Sequence, residues 1–221
     1  MYRAVLLDID GTLVDSNDAH AHAWVKAFAM QGRHVEFSRV RPLIGKGGDK
    51  LLAEIAGIDV ESDEGKRLSD ERREIFQREF LPNLQPTRGA RRLLERLRDD
   101  GRILAIATSA QEAEVQGLLR AAHVDDLIHT ASSSDDAEES KPDPDIVHAA
   151  LGKAGCDAAD SIMLGDTPYD IEAASRAGVV SIVFRCGGWW PDEKLAGAVS
   201  IYDDPEDLLQ NYRHSRFTIG Q

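Results

Sequence analysis

Two aspartates one residue apart sit within LLDIDGTLVDS, positions 6–16, where a short apolar run turns polar. Like charges this close disfavour joint ionisation. Either Asp8 and Asp10 are solvated decoration on a turn, or something positive belongs between them. The same kind of position recurs along the chain. ATSA puts Thr108 and Ser109 after an apolar run, SKPDP puts Lys141 ahead of a helical pattern, and LGDTPYD puts Asp166 and Asp170 after another apolar run. Together they form a chemical set. Carboxylate oxygens suit Mg2+, a hard ion that leaves positions open for a phosphate. Thr108 and Ser109, opening a helix, offer N–H and O–H donors to phosphate oxygens. Lys141 adds a compact positive charge to the same group.

For these residues to meet, the runs before them must be neighbouring strands. Apolar stretches at 4–9, 102–108, 126–130, 161–165, 179–184 and 198–202 alternate with helical patterns near 88–99, 111–122, 143–154, 169–177 and 204–212. Near-continuous apolar strands separated by helices predict a parallel α/β sheet covered on both faces. Such sheets gather ligands at the carboxyl ends of their strands, where all the polar groups above fall. Residues 17 to about 85 break the alternation. NDAHAHAWVKAFAMQG, GGDKLLAEIAGI and SDEGKRLSDERREIFQREFL read as helices, and Pro82 and Pro86 mark the return to the sheet. The tail RHSRFTIGQ carries no element assignment.

Bulk composition narrows the function classes. The chain has 221 residues, 42% hydrophobic and 29% charged, with a formal net charge of −13. That suits a soluble domain with a real core and excludes a body built to track nucleic-acid phosphates or anionic membrane. Cys156 and Cys186 lie far apart, giving neither a disulfide framework nor a zinc site. The N-terminal apolar run is too short for a signal-peptide core, and no run reaches membrane-spanning length. A cytoplasmic protein, monomer or homodimer, is expected.

DIDGTLVDS, ATSA, KPDP and GDTPYD, in this order, resemble the four motifs of the haloacid dehalogenase-like hydrolase superfamily, across essentially the whole chain. The resemblance implies a doubly wound Rossmann-like core over 1–15 and 87–221, with a small all-helical cap at 16–86. The stretch 110–140 is too short for the family's other cap type. It implies Asp8 as nucleophile, forming an aspartyl-phosphate, and Asp10 as general acid and then general base. It implies Mg2+ held by the Asp8 carboxylate, the Asp10 backbone carbonyl and Asp166, with Asp170 as a further ligand or as support behind them, while Thr108, Ser109 and Lys141 hold the phosphoryl group. Asp10 must begin protonated in this scheme, and the charge of Asp8 pushes that way. Dehalogenases of the superfamily lack this acid, because a halide leaves without a proton. A phosphatase acting on a small phosphate monoester is therefore expected.

In the cap, LIGKGGDKLL at 43–52 sets Gly45, Gly47 and Gly48 beside Lys46 and Lys50, flexible backbone with two cations that could close over an ester. It is similar to the cap signature of phosphoglycolate phosphatases. Gly48 stands where β-phosphoglucomutases carry a sugar-binding arginine, so a phosphomutase is the alternative; a phospho-aspartate receiver is the alternative from another class. Blander readings cover the rest. DIDG fails as a calcium loop because position 19 is Ala. His20 and His22, two apart on a helix, face different ways and share no ion. Asp15 and Ser16 cap the next helix, Trp189 and Trp190 pack, and SDERREIFQREF is a solvated helical face.

Overall fold

The computed structural model describes residues 2–218; the last residues of the unassigned tail, 219–221, lie outside the described residues. Six strands form one parallel sheet: β1 (Ala4–Leu7), β2 (Ile103–Ala107), β3 (Thr130–Ser132), β4 (Ser161–Gly165), β5 (Val180–Phe184) and β6 (Ser200–Tyr202). Their order is β3-β2-β1-β4-β5-β6. Strand order reverses on either side of β1 and β4, and a crevice opens outside the carboxyl ends at such a reversal. Asp8 follows β1 directly and Asp166 follows β4. The sheet therefore brings them side by side at the crevice.

Ten α-helices are α1 (Asn17–Met30), α2 (Phe37–Val40), α3 (Gly48–Ala56), α4 (Asp63–Ile75), α5 (Ala90–Asp99), α6 (Glu112–Ala121), α7 (Asp145–Ala154), α8 (Pro168–Arg176), α9 (Asp192–Leu195) and α10 (Pro205–Gln210), counted among the described residues. Strand alternation sends Ala4 and Leu6 to one face and Val5 and Leu7 to the other. On the first face they join Met163, Ile146 and Val147 in a cluster built with α7 and α8. On the second, Leu93, Leu94 and Leu97 of α5 complete a larger cluster that continues into Trp24, Phe28, Leu68 and Phe76 of the helical layer. Helices and turns alone occupy 17–83, with a π-helical turn at Phe76–Phe80 extending α4. None of the helices is long and apolar enough to cross a membrane, among the described residues.

One strand is displaced from its expected place. The run at 126–130 enters the sheet only at Thr130, which pairs with Ala105. Arg91 grips the Asp126 carboxylate with two nitrogens, at 2.7 and 2.9 Å, and also bonds the His123 carbonyl. That clamp holds the preceding residues in a turn, and Leu127 and Ile128 bury their side chains from there.

The link from β1 to α1 is a tight coil around one carbonyl. The Ile9 oxygen accepts from the N–H groups of Thr12, Leu13 and Val14, and Gly11 takes φ of +76°. A Cβ there would lie 2.1 Å from Asn17 Nδ2 and 2.3 Å from Asp166 Oδ2. Gly11→Ala should therefore cost about 2 kcal/mol or more. That corresponds to a fall in Tm of roughly 4–8 °C; a calorimetric Tm within a degree of the parent would contradict this account.

Candidate active site

Lys141 organises the crevice. Its side chain is 0% exposed, and Nζ donates to Asp8 Oδ1 at 2.6 Å and to Asp170 Oδ1 at 2.7 Å. Burial disfavours the ammonium, yet Asp170 and Asp8 more than offset that and hold its pKa above the ordinary lysine value. A single lysine faces three buried acids. Asp8, Asp166 and Asp170 place carboxylate oxygens within 4.8 Å of one another. Burial pushes Asp8 up to about 7, against the pull of Lys141 and with a further push from Asp170 and Asp10. Asp166 is pushed well above the usual carboxylate range by burial, then by Asp170 and Asp8.

Asp166 and Asp170 are arranged differently. Asp170 Oδ2 accepts from the backbone N–H groups of Asp166 and Thr167 and from Thr167 Oγ1, at 3.2, 3.0 and 2.7 Å, while its Oδ1 takes Lys141. This capping box starts α8, and with Lys141 it leaves both oxygens occupied. Asp166 is held more lightly, by Asn17 Nδ2 at 2.8 Å and Thr12 Oγ1 at 3.4 Å. Its surroundings are cut close: a Cβ on Gly187 would fall 1.8 Å from Asp166 Oδ2. The donors are hard oxygens carrying more negative charge than one lysine neutralises, which fits a divalent cation such as Mg2+.

Asp10 lies outside this triangle. Its Oδ1 meets His20 Nε2 at 2.8 Å and accepts from Ser16 Oγ at 2.5 Å. Burial raises its pKa, but His20, Ser16 and Arg72 outweigh burial and leave it below the ordinary value. Adjacency in sequence predicts that Asp8 keeps Asp10 protonated; the geometry reverses the order. Burial gives Asp8 the raised value, while His20 and Ser16 hold Asp10 down despite its own burial. Ser16 accordingly makes no side-chain hydrogen bond to the helix it precedes, so the capping role expected for it is replaced by a bond to Asp10.

Asp8, Asp10, Thr108 and Ser109 line one cavity, with Gly45, Lys46 and Gly48 from the cap opposite. Thr108 Oγ1 accepts from the Ala110 N–H at 3.1 Å. The pair stands in a loop before α6, whose first residue is Glu112, and so does not open the helix as the pattern predicts. Gly45 adopts φ of +105°, and its missing Cβ lets the loop sit against Thr167. Gly47 and Lys50 fall outside this cavity. The Gly47 N–H donates to Ser140 Oγ at 3.1 Å, and Lys50 pairs with Glu139 and, at 3.2 Å, with Asp143. Lys50 thus joins cap to core across a seam, with both carboxylates already on it.

Other residues reach the cavity that the motifs do not mark. His20 and Trp24 line it from α1, and His20 stacks on Phe76 with centroids 3.9 Å apart. Arg72, read from sequence as part of a solvated face, is buried and bonds both oxygens of buried Glu114 at 2.8 and 3.1 Å. Asn17, His20 and Trp24 are spaced three and four apart, one helical face, and that spacing is the signal that finds them. Behind the site, Arg41 bonds Asp18 and the Gly187 carbonyl and lies over Trp189, while Tyr169 Oη donates to the Pro42 carbonyl at 2.7 Å. Trp190 packs edge-on to Tyr169.

This arrangement has known counterparts. A family model described as haloacid dehalogenase-like hydrolase matches residues 5–184. A phosphoglycolate phosphatase of Rhodospirillum rubrum is 28% identical over 214 residues, 92% of this chain and 88% of that protein. An N-acetylmuramic acid 6-phosphate phosphatase of Pseudomonas aeruginosa is 27% identical over 214 residues, 94% of this chain and 93% of that protein. A solved hydrolase structure from Pseudomonas syringae superposes with a TM-score of 0.88 at 28% identity, over 96% of this chain and 98% of that one. The chain therefore belongs to the haloacid dehalogenase-like hydrolase family as a phosphoric monoester hydrolase.

Proposed function

We propose that the protein is a Mg2+-dependent phosphatase that hydrolyses a small phosphate monoester through an aspartyl-phosphate on Asp8. The observation that carries this reading is the triangle of Asp8, Asp166 and Asp170 around Lys141, of which Asp8 also lines a cavity with Asp10 and Thr108. Mg2+, held by Asp8, Asp166 and the Asp10 carbonyl, would keep Asp8 ionised and neutralise charge on the phosphoryl oxygens. Asp170 supports the set by fixing Lys141 and the turn at Asp166.

Asp8 Oδ attacks phosphorus in line, and the P–O bond to the leaving alcohol breaks. Lys141, Thr108 and Ser109 hold the equatorial oxygens, where charge gathers. Asp10 stands beside the nucleophile with His20 on its Oδ1, placed to give the leaving oxygen its proton. In the second half-reaction Asp10 takes a proton from water, which attacks the acyl phosphate and frees Asp8. A receiver switch needs none of the cap residues that wall this cavity. Relatives of similar identity carry different ester names, so the leaving group is decided by the cap.

Three outcomes follow from these roles. Asp8→Asn preserves shape while removing the nucleophile, so hydrolysis of p-nitrophenyl phosphate by the folded variant should fall roughly 10³-fold or more; residual activity above a tenth of the parent would end the assignment. His20→Ala should lower kcat for an alkyl phosphate by roughly 10- to 100-fold. The loss should be smaller for p-nitrophenyl phosphate, whose leaving group scarcely needs a proton; equal losses would reduce His20 to packing. The third concerns pH. Asp8 is raised to about 7 in the folded protein from 3.8. The folded state then binds more protons than the unfolded state between those values, so metal-free stability should decline from about pH 4 to 7. Calorimetry should show Mg2+ raising Tm more at pH 7.5 than at pH 5; an equal rise at both would remove the link between the triangle and the ion.

A further inference from the structure

The crevice continues past the phosphoryl pocket. The inner cavity is about 50 Å³, room for roughly four waters or one phosphoryl group. A second cavity of about 230 Å³ opens beside it, and the two share Trp24, Gly48, Arg72 and Ser109 as walls. That outer space is large enough for a hexose-sized group attached to the phosphate. Its electrostatics are one-sided. Asp49, Glu61, Asp135 and Glu138 border it, and Arg72 is its only lysine or arginine among the described residues. The Arg72 guanidinium is already bound by Glu114 through two bonds. The other cation bordering the inner cavity, Lys46, is paired with Glu54, and His20 meets Asp10. A carboxylate on the leaving group would find four acids and no unpaired cation.

Two polar atoms on the shared wall point to what does fit. Arg72 Nε and Ser109 Oγ are buried without a hydrogen-bond partner, and Arg72 as a residue is only 8% exposed. A buried donor left unpaired is costly, and ligand hydroxyls entering from either cavity would satisfy both. Ser69, Ser134 and Ser140 add further hydroxyls to the outer wall. The Trp24 ring, with Arg72 stacked 5.4 Å from its centroid, supplies an apolar face on the same side.

We propose that the outer cavity selects a polyhydroxylated leaving group lacking a carboxylate, uncharged or amine-bearing and of sugar or cyclitol size. This rests on the phosphatase reading and specifies its substrate class. With Mg2+ present at fixed ionic strength, kcat/KM is to be measured for glucose 6-phosphate, glucosamine 6-phosphate, 2-phosphoglycolate, 3-phosphoglycerate and p-nitrophenyl phosphate. Both hexose phosphates should exceed both carboxylate esters by tenfold or more, with glucosamine 6-phosphate ahead of glucose 6-phosphate. The double variant Asp135→Asn with Glu138→Gln should narrow the preference for the amine several-fold, read as the ratio of kcat/KM for glucosamine 6-phosphate to that for glucose 6-phosphate. Equal or faster hydrolysis of 2-phosphoglycolate, or an amine preference untouched by the double variant, would overturn the inference and leave the phosphatase standing. Failure to hydrolyse even p-nitrophenyl phosphate would instead overturn the phosphatase reading, and this inference with it.

Discussion

A lysine with no exposure to water makes the rest of the crevice possible. Three carboxylates gathered at the ends of neighbouring strands would repel one another strongly in a poorly hydrated space. Lys141 ties two of them together through bonds of 2.6 and 2.7 Å. The remaining excess of negative charge is what a divalent cation would offset. Removing either partner of such a buried pair leaves an uncompensated charge, so the carboxylates and the lysine form one electrostatic unit. The capping box of Asp170 extends that unit into α8, and the hydrogen bond from Asn17 extends it into α1.

The sheet supplies the geometry that this unit needs. Registers of β1 with β2 and β4 bring the strand ends level, so Asp8 and Asp166 leave their strands side by side. Small residues then make the close approach feasible: Gly11 and Gly187 sit where any side chain would strike Asp166. The helical layer shares its apolar cluster with one face of the sheet. It presents one face of α1, together with Arg72 of α4, to the cavity.

Much of this was legible in the sequence, for a physical reason. Strands buried on both faces must be apolar, so polar residues at their exits stand out, as Asp8, Thr108 and Asp166 do. Helices inserted after β1 declare themselves by periodicity. What escaped was everything decided by pairing between distant segments. Arg72 looks solvated among its charged neighbours until Glu114 of another helix meets it. The strand expected at 126–130 starts late because Arg91, far away in sequence, holds Asp126. The protonation order of Asp8 and Asp10 could not be read from adjacency, since it depends on burial, on which way each side chain turns and on His20, whose partner is Asp10.

Lys50 and its two carboxylates carry a last consequence. The seam between lid and sheet is fastened there by side chains in touch with solvent: Lys50 is 28% exposed and Asp143 32%. Ion pairs of that kind contribute only ~0.2–1 kcal/mol each, and water readily replaces them. Ionic strength is therefore a direct handle on this one fastening, whereas the buried Arg72–Glu114 pair and the apolar cluster common to helical layer and sheet feel salt little.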